Sequence, residues 1–347
     1  MTQQYNPLIL YENKNSVNDL EKLKKNYKIW KTYDIYDRQE KELFEILFPS
    51  ITTSPTSKSA FIKFKTKRKK RSNVLQGNWI YFPWNGNLIH TVNEKEYYTL
   101  RTNRNKNLIT ADEQKMLNDA CVGIVGLSVG SSIAIGLAYQ GIAQTMKLAE
   151  FDTLETTNLN RVRATISHIG TPKIHIAAQQ IYEINPYSKL HLFSEGLTKN
   201  VLKQFLTKNP KPRIIFEIID DFEIKIHLRF MARSLRIPVV MLANLGDSVL
   251  IDIERYDLDK TLPLFHGVLG KLPEEILDNP NEDKNKYAVA IVGKENVPKR
   301  ALESVREIGK TLVGRPQLAS TITIGSGLAS YLVRHLLLDK PLQAKDI

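Results

Sequence analysis

The sequence predicts an α/β fold with a Rossmann-like, doubly wound and mainly parallel sheet that carries helices on both faces. Apolar runs alternate along the chain with stretches of helical spacing, and this alternation is typical of a parallel sheet. The apolar runs lie at 121–126, 145–151, 189–194, 212–219 and 238–243. The helical stretches lie at about 130–141, 172–184, 198–208 and 222–236. A turn of small residues follows the first run, as it does in a nucleotide-binding βαβ unit.

The first 97 residues predict a small accessory α+β module. Asn18–Trp30 and Asp37–Phe48 have apolar residues at helical spacing, and the Ser- and Thr-rich segment Ser50–Ser59 favours a loop. Gly77–Val92 indicates two short strands, because Asn85-Gly86 is a strong hairpin turn signal. The module is therefore expected to contain helices and at least one β-hairpin.

A run of basic residues lies inside this module. Positions 61–71 hold seven Lys and Arg residues. Such a run favours a solvated strand edge or a mobile loop, and it is also compatible with an electrostatic contact to tRNA or to an acidic protein. The net charge of +12 permits an acidic partner such as ATP, nucleic acid or an acidic carrier protein, and it specifies none of them.

Elements before and after the parallel strands extend the fold. Thr110 and Glu113 form a capping-box pattern that predicts a helix from about Ala111. Segment 248–257 favours an additional antiparallel strand, and 258–297 is expected to be irregular. Two helices are predicted to close the chain, at about 298–313 and 325–338.

Composition excludes several classes of protein. The single cysteine, Cys121, rules out a disulfide framework and a four-cysteine zinc site, and its place at the start of a strand favours a buried thiol. The amino terminus has no charged-then-apolar signal pattern, and no apolar run is long enough to cross a bilayer. We expect a cytoplasmic protein without a membrane partner.

The turn after the first strand is a candidate phosphate cradle. Gly126, Ser128 and Gly130 lie where a strand passes into a helix, and backbone N–H groups at a helix start attract phosphate. Glu150 ends the second apolar run 24 positions after Gly126, where an acid can accept hydrogen bonds from ribose hydroxyls. An NAD(P)-dependent oxidoreductase would use the same layout, but it would leave the polar motifs that follow unexplained.

Several motifs in order resemble the ThiF/MoeB/HesA family, the relatives of ubiquitin-activating enzymes. They cover about residues 100–260 and extend to the final helix, Gly325 to Leu338. They are Leu100–Arg104, the Gly126 turn, Glu150–Asp152, Asn158–Arg161, Gly170–Lys173 and Glu217–Asp221. The sequence also resembles a bacterial subgroup in which this domain can precede a nitroreductase-like domain, and the chain stops before any such domain.

The resemblance implies roles for individual residues. It implies an ATP-binding adenylation domain over 98–347, with phosphate contacts from Arg161 and Lys173 and a Mg²⁺ contact from Asp220. Arg104 matches an arginine that the family delivers from the other protomer of a homodimer. The residues expected around the nucleotide are Gly126, Ser128, Gly130, Glu150, Asp152, Asn158, Arg161 and Lys173.

This sequence departs from the family pattern at four places. The first acid is Glu150, which is one methylene longer, and the glycine turn is one residue short. Val162 and Lys225 replace a family Gln and Arg. The chain also lacks zinc cysteines and a catalytic cysteine for a thioester relay.

The resemblance implies activation of a carboxylate by ATP and Mg²⁺, giving an acyl-adenylate and pyrophosphate. The carboxylate could belong to a small molecule, a peptide or the C-terminus of a carrier protein. A separate acyl acceptor or a redox partner protein would act next. Two alternatives stay open: the same chemistry on an RNA-borne carboxylate, as in tRNA-modifying relatives, and a scaffold that binds nucleotide or a partner without turnover.

Overall fold

The computed structural model describes residues 5–270 and 285–342. The chain divides into two compact units. Unit 1 comprises Met1–Ala111 and Tyr182–Tyr187, and unit 2 comprises Asp112–Ile181 and Ser188–Ile347. The domain division between residues 97 and 98 stays a prediction.

Unit 1 contains a four-stranded sheet with the strand order β1-β3-β4-β2. Its strands are β1 (Leu8–Leu10), β2 (Lys31–Asp34), β3 (Asn78–Phe82) and β4 (Asn87–Thr91). Its helices are α1 (Val17–Asn26), α2 (Tyr36–Leu47), α3 (Pro49–Thr52), α4 (Ser57–Arg68) and α5 (Glu94–Thr102). The α+β prediction for this part of the chain is confirmed, and so is the hairpin, in which Phe82 pairs with Asn87 across the turn.

Two predictions for unit 1 are wrong. The basic run does not begin as a strand edge or loop, because helix α4 covers it as far as Arg68. Phe61 and Phe64 of this helix pack on Phe44 of α2 with ring centroids 5.4 and 5.6 Å apart, and this apolar contact stabilises the helix. The loop predicted at Ser50–Ser59 instead contains α3 and the first turn of α4.

Unit 2 contains a six-stranded sheet with the order β10-β9-β8-β5-β6-β7. Its strands are β5 (Cys121–Val125), β6 (Thr145–Ala149), β7 (Lys189–Phe193), β8 (Ile214–Glu217), β9 (Val239–Asn244) and β10 (Val249–Glu254). All neighbours are parallel except β9 and β10, as predicted. The chain moves from β5 outward to β7 and then returns to β8 on the other side of β5. The strand order therefore reverses between β5 and β8, which is where α/β sheets bind ligands.

Helices α6 (Ala111–Asp119), α7 (Leu127–Gln140), α8 (Lys173–Ile184), α9 (Lys199–Thr207) and α10 (Phe222–Ser234) accompany this sheet. Further along lie α11 (Asn285–Val292), α12 (Lys299–Val305) and α13 (Ala319–Leu337). The predicted Rossmann-like class is confirmed. The predicted irregular stretch 258–297 is wrong over α11, and its residues 271–284 lie outside the described part. The first closing helix is shorter than predicted, and the second begins six residues earlier, at Ala319 instead of 325.

The core of unit 2 fixes the strands that lead to the site. Phe205, Ile215, Leu228 and Val239 form part of one buried cluster between the sheet and its helices. Helix α13 packs closely on α7, since a Cβ on Gly136 would lie 2.6 Å from the Ser330 hydroxyl oxygen. Over the described ranges, no helix has the length and apolar character needed to span a bilayer.

Candidate nucleotide-binding site

The small-residue turn lies at the carboxyl end of β5, beside the point where the strand order reverses. Gly126 has φ of +87°, and a Cβ there would lie 2.3 Å from the carbonyl oxygen of Ile218, just after β8. Only glycine tolerates both that backbone conformation and that close approach. Helix α7 begins at the next residue, Leu127, so its first turn points its N–H groups toward this edge of the sheet.

Glu150 braces the start of this helix. Its carboxylate accepts hydrogen bonds from the backbone N–H groups of Leu127 at 2.8 Å, Phe151 at 2.8 Å and Asp152 at 3.0 Å. The carboxylate is buried and lies near the positive end of the helix dipole, which stabilises its negative charge. In this structure Glu150 therefore shapes the turn, and its predicted contact with a ribose stays a prediction.

Three predicted site residues from different segments come together next to that turn. The Nζ atom of Lys173 lies 2.8 Å from the Asp152 carboxylate and 3.4 Å from the Ser128 hydroxyl. Lys173 is buried and begins α8, and its backbone N–H donates to the Asp152 carbonyl at 2.9 Å. A cation is thereby held beside the start of α7. Gly130, in the same turn, is buried against Ile124 of β5.

The Asn158–Arg161 segment adds a second cation. Asn158 is buried, and its side-chain oxygen accepts the Glu155 N–H at 3.2 Å, so this residue stabilises the local turn. The Nη1 atom of Arg161 donates to the Thr157 carbonyl at 3.1 Å and to the Asn160 side chain at 2.9 Å. Its Nε atom is buried without a hydrogen-bond partner among the described residues. Burial disfavours the charged form of the Arg161 guanidinium and so lowers its pKa. An anion beside the guanidinium would stabilise the charged form.

Asp220 and Asp221 have different environments. Asp221 is the N-cap of α10 and accepts the Ile224 N–H at 3.1 Å. Asp220 is 86% exposed in its side chain and forms an ion pair with Arg315. No group of three His, Cys, Asp or Glu side chains within 5–270 and 285–342 is arranged to hold a metal. Asp220 therefore offers one carboxylate to a metal ion, and its Mg²⁺ role stays a prediction.

A buried ion network below Asp220 was not predicted. Glu217, at the end of β8, contacts Lys225 at 2.7 Å and Arg229 at 2.8 Å, and it accepts the Ile219 N–H at 3.0 Å. Arg229 also pairs with Glu254 at 2.6 Å. Burial alone would raise the pKa of Glu217, but Lys225 and Arg229 together hold it below its usual value. Basic residues on one face of α10, at 225 and 229, were a sequence signal for this network.

Two further residues that the sequence analysis considered are Arg104 and Cys121. Arg104 lies in unit 1, exposed on a short 3₁₀ helix (Asn103–Asn105), and its action from a second protomer stays a prediction. Cys121 is buried, as predicted, and burial raises the pKa of its thiol to about 11. A thiol that stays protonated at neutral pH is a poor nucleophile.

Comparison with known proteins identifies the family of one part of the chain. Residues 101–252 match the model of the ThiF family. The chain carries a ThiF-family domain. The match spans the turn after β5, the Asn158–Arg161 segment, Lys173 and Asp220, so the predicted resemblance to this family is confirmed. Membership of the nitroreductase-fused subgroup stays a prediction.

Relatives of this ThiF-family domain have several names. The "Uncharacterized protein MT1398" of Mycobacterium tuberculosis (strain CDC 1551 / Oshkosh) is 36% identical over 267 residues, which are 77% of this chain and 37% of that protein. The tRNA threonylcarbamoyladenosine dehydratase of Bacillus subtilis (strain 168) is 27% identical over 50% of this chain and 68% of that enzyme. The sulfur carrier protein ThiS adenylyltransferase of Escherichia coli (strain K12) is 26% identical over 40% of this chain and 54% of that enzyme.

Proposed function

We propose that this chain binds ATP with Mg²⁺ and adenylates a carboxylate, releasing pyrophosphate. The observation that carries the proposal is the convergence of Lys173, Asp152 and Ser128 beside the start of α7. A buried cation beside the first turn of a helix is an arrangement that stabilises phosphate charge. A relative named as an adenylyltransferase supports this chemistry.

The residues at this edge of the sheet fit a nucleotide. Gly126 allows the close backbone approach at the turn, and Lys173 supplies positive charge beside that turn. Arg161 supplies a second cation from the Asn158–Arg161 segment. The unpartnered Nε atom of Arg161 is a donor that a phosphate oxygen would satisfy. Asp220 would hold Mg²⁺, because one or two carboxylates together with substrate phosphates are its usual ligands. The bound ion would neutralise charge on the leaving pyrophosphate.

The proposed reaction forms one bond and breaks one. An oxygen of the substrate carboxylate attacks the α-phosphorus, and the bond from that phosphorus to the α–β bridging oxygen breaks. The products are an acyl-adenylate and pyrophosphate. Arg161 and Lys173 would stabilise the charge that builds on the phosphate oxygens. A thioester on Cys121 is not part of the proposal, since that thiol is buried and protonated.

The partners in this proposal are a carboxylate substrate and an acyl acceptor. The substrate would be a small molecule, a peptide or the C-terminus of a carrier protein, and the acceptor or a redox partner would be a separate protein. We also propose a homodimer, in which Arg104 reaches the phosphates bound by the other copy. Removing such an arginine would lower the rate about 10³-fold or more.

Pyrophosphate exchange into ATP tests the function directly. Candidate carboxylates are screened with purified protein, and ATP binding is measured separately by calorimetry. Asp220→Ala should abolish exchange, whereas Asp112→Ala, an exposed acid on α6, should leave it unchanged. Absence of ATP binding would refute the proposal. ATP binding with no exchange for any carboxylate would favour the scaffold alternative, and selective stabilisation by NAD or NADP would favour an oxidoreductase.

One observation favours an RNA-borne carboxylate as a second candidate. Helix α4 and the residues after it expose cations that have no acidic partner in the described part of the chain: Lys58, Lys63, Lys67, Lys69, Lys70 and Arg71. Cations of this kind bind phosphate backbones through counterion release. A relative named for tRNA threonylcarbamoyladenosine points to the same class of substrate.

Salt dependence of tRNA binding tests this second candidate. The logarithm of the association constant should fall linearly with the logarithm of salt concentration. The double variant Lys63→Glu, Lys67→Glu should lose about two phosphate contacts, and its slope should therefore be less steep. The same double change at Lys22 and Lys25 on α1 serves as the control. Binding that does not change with salt, or equal effects of both pairs, would exclude an RNA contact through α4.

A further inference from the structure

The segment before α13 reaches the candidate site at two points. Arg315 forms an ion pair with the Asp220 carboxylate. Two residues later, the Gln317 carbonyl accepts a hydrogen bond from the Asn160 side-chain amide at 2.8 Å. Asn160 in turn accepts from Arg161 at 2.9 Å. Residues 314–318 therefore touch both the Asn158–Arg161 motif and the predicted metal-binding acid.

We propose that Arg315 is a further ATP-binding residue of this site. Before Mg²⁺ binds, the Arg315 guanidinium pairs with the Asp220 carboxylate. When that carboxylate binds Mg²⁺, the released guanidinium neutralises phosphate charge of the bound ATP. The inference rests on the proposed function, because it gives Arg315 a role toward ATP and Mg²⁺. Sequence motifs did not indicate it, since 95 positions separate Arg315 from Asp220.

The ion pair is suited to exchange. The Asp220 side chain is 86% exposed and the Arg315 side chain 49% exposed, and exposed ion pairs contribute little to stability. Mg²⁺ can therefore displace the arginine at little cost. Arg315 keeps its charge when it leaves, because a guanidinium is not deprotonated in proteins. Its next partner must be another anion, and ATP brings anions to the same edge of the sheet.

The fold keeps the released side chain near the site. Leu318 is the N-cap of α13, and α13 packs on α7, whose first turn begins the phosphate cradle. Pro316 fixes one backbone torsion directly after Arg315. The hydrogen bond from Asn160 to Gln317 holds the other side of the segment. Arg315 therefore changes partners by rotating its side chain rather than by moving a loop.

Calorimetric titration with ATP at a series of Mg²⁺ concentrations tests the inference without any turnover, because no carboxylate is added. Arg315→Ala should lower the Mg²⁺ concentration for half-maximal ATP affinity several-fold, since the competing cation is gone. At saturating Mg²⁺ the same variant should bind ATP about tenfold more weakly, as expected for the loss of one charge-assisted contact. Arg315→Lys should recover part of that affinity. Lys310→Ala, which removes an exposed cation five positions before Arg315, should match the unmodified chain.

The two proposals fail in different ways. If Arg315→Ala binds ATP with unaltered affinity and unaltered Mg²⁺ dependence, the role of Arg315 is refuted while the proposed function stands. If both quantities change equally in Lys310→Ala, the effect is general electrostatics and the role is also refuted. If the unmodified chain binds no ATP at any Mg²⁺ concentration, the proposed function is refuted and the role of Arg315 with it.

Discussion

Glu217→Gln is expected to destabilise unit 2 strongly while preserving the shape of the side chain. Glu217 is fully buried at the end of β8 and is in contact with two cations, Lys225 and Arg229. Glutamine removes the negative charge and leaves Lys225 without a carboxylate partner among its contacts. Arg229 keeps Glu254.

The expected loss of unfolding free energy follows from the cost of leaving a buried charge without a partner. Breaking a buried ion pair by removing one partner costs about 3–5 kcal/mol of unfolding free energy. For a unit of this size each kcal/mol lowers Tm by about 2–4 °C, so the expected loss is about 6–20 °C. Glu223→Gln, on the first turn of α10, the helix that carries Lys225 and Arg229, is the matched control. Its partially exposed carboxylate pairs with Lys199 at 2.5 Å, and its loss should cost below about 1 kcal/mol.

Thermal unfolding followed by circular dichroism and by calorimetry measures the difference. The pH dependence supplies a second check, because the pKa of Glu217 is lowered in the folded state. Its ionised form therefore stabilises the fold above the unfolded pKa, near 4.5, and that contribution is lost as pH falls through the folded pKa. The difference in unfolding free energy between the unmodified chain and Glu217→Gln should be constant above about pH 6 and should decrease in acid. Equal losses for Glu217→Gln and Glu223→Gln at pH 7 would refute the reasoning.

Further predictions concern the turn, the cation and the thiol. Gly126→Ala should cost about 2 kcal/mol or more, because it combines a positive φ with a backbone clash; Gly170→Ala, with φ of +82° but open space around it, should cost less in the same denaturation experiment. Lys173→Met should lower the exchange rate about 10²- to 10³-fold without changing the circular dichroism spectrum, and an unchanged rate would exclude Lys173 from the site. Cys121, with its pKa raised to about 11, should react with a thiol reagent at pH 8 only after denaturation.

Local patterns predicted the framework of unit 2 well. The strands and helices from Cys121 to Ser234 lie within about three residues of their predicted ends, because the parallel strands are buried runs and the helices between them are amphipathic. The turn pattern located Gly126 and Ser128. The resemblance to the ThiF family located Asp152 and Lys173, and Lys173 contacts both Asp152 and Ser128. Order along the chain was sufficient here, since the carboxyl ends of parallel strands share one edge of the sheet.

Local sequence patterns did not predict the contacts between distant segments of the chain. Ile62 and Phe64 alternate with lysines as they would in a strand. In the helix, Phe61 and Phe64 share one face and both contact Phe44, a residue of another segment. Strand β2 has four exposed residues and therefore no apolar signal. Arg315 contacts Asp220 across 95 positions of the chain, and no spacing rule encodes that contact.

The charges around the candidate site divide into two groups with different consequences. Below the edge of the sheet, Glu217 and Glu254 balance Lys225 and Arg229 in a buried network, so substitutions there should alter stability first. At the edge, Lys173 pairs with a half-exposed Asp152, Arg315 pairs with an exposed Asp220, and Arg161 keeps an unpartnered Nε atom. The exposed pair of Arg315 with Asp220 costs little to separate, and on the proposed function its separation yields a cation for phosphate and a carboxylate for Mg²⁺. On the proposed function, therefore, the buried network holds the edge of the sheet rigid while the exposed pair of Arg315 with Asp220 changes partners when ATP binds.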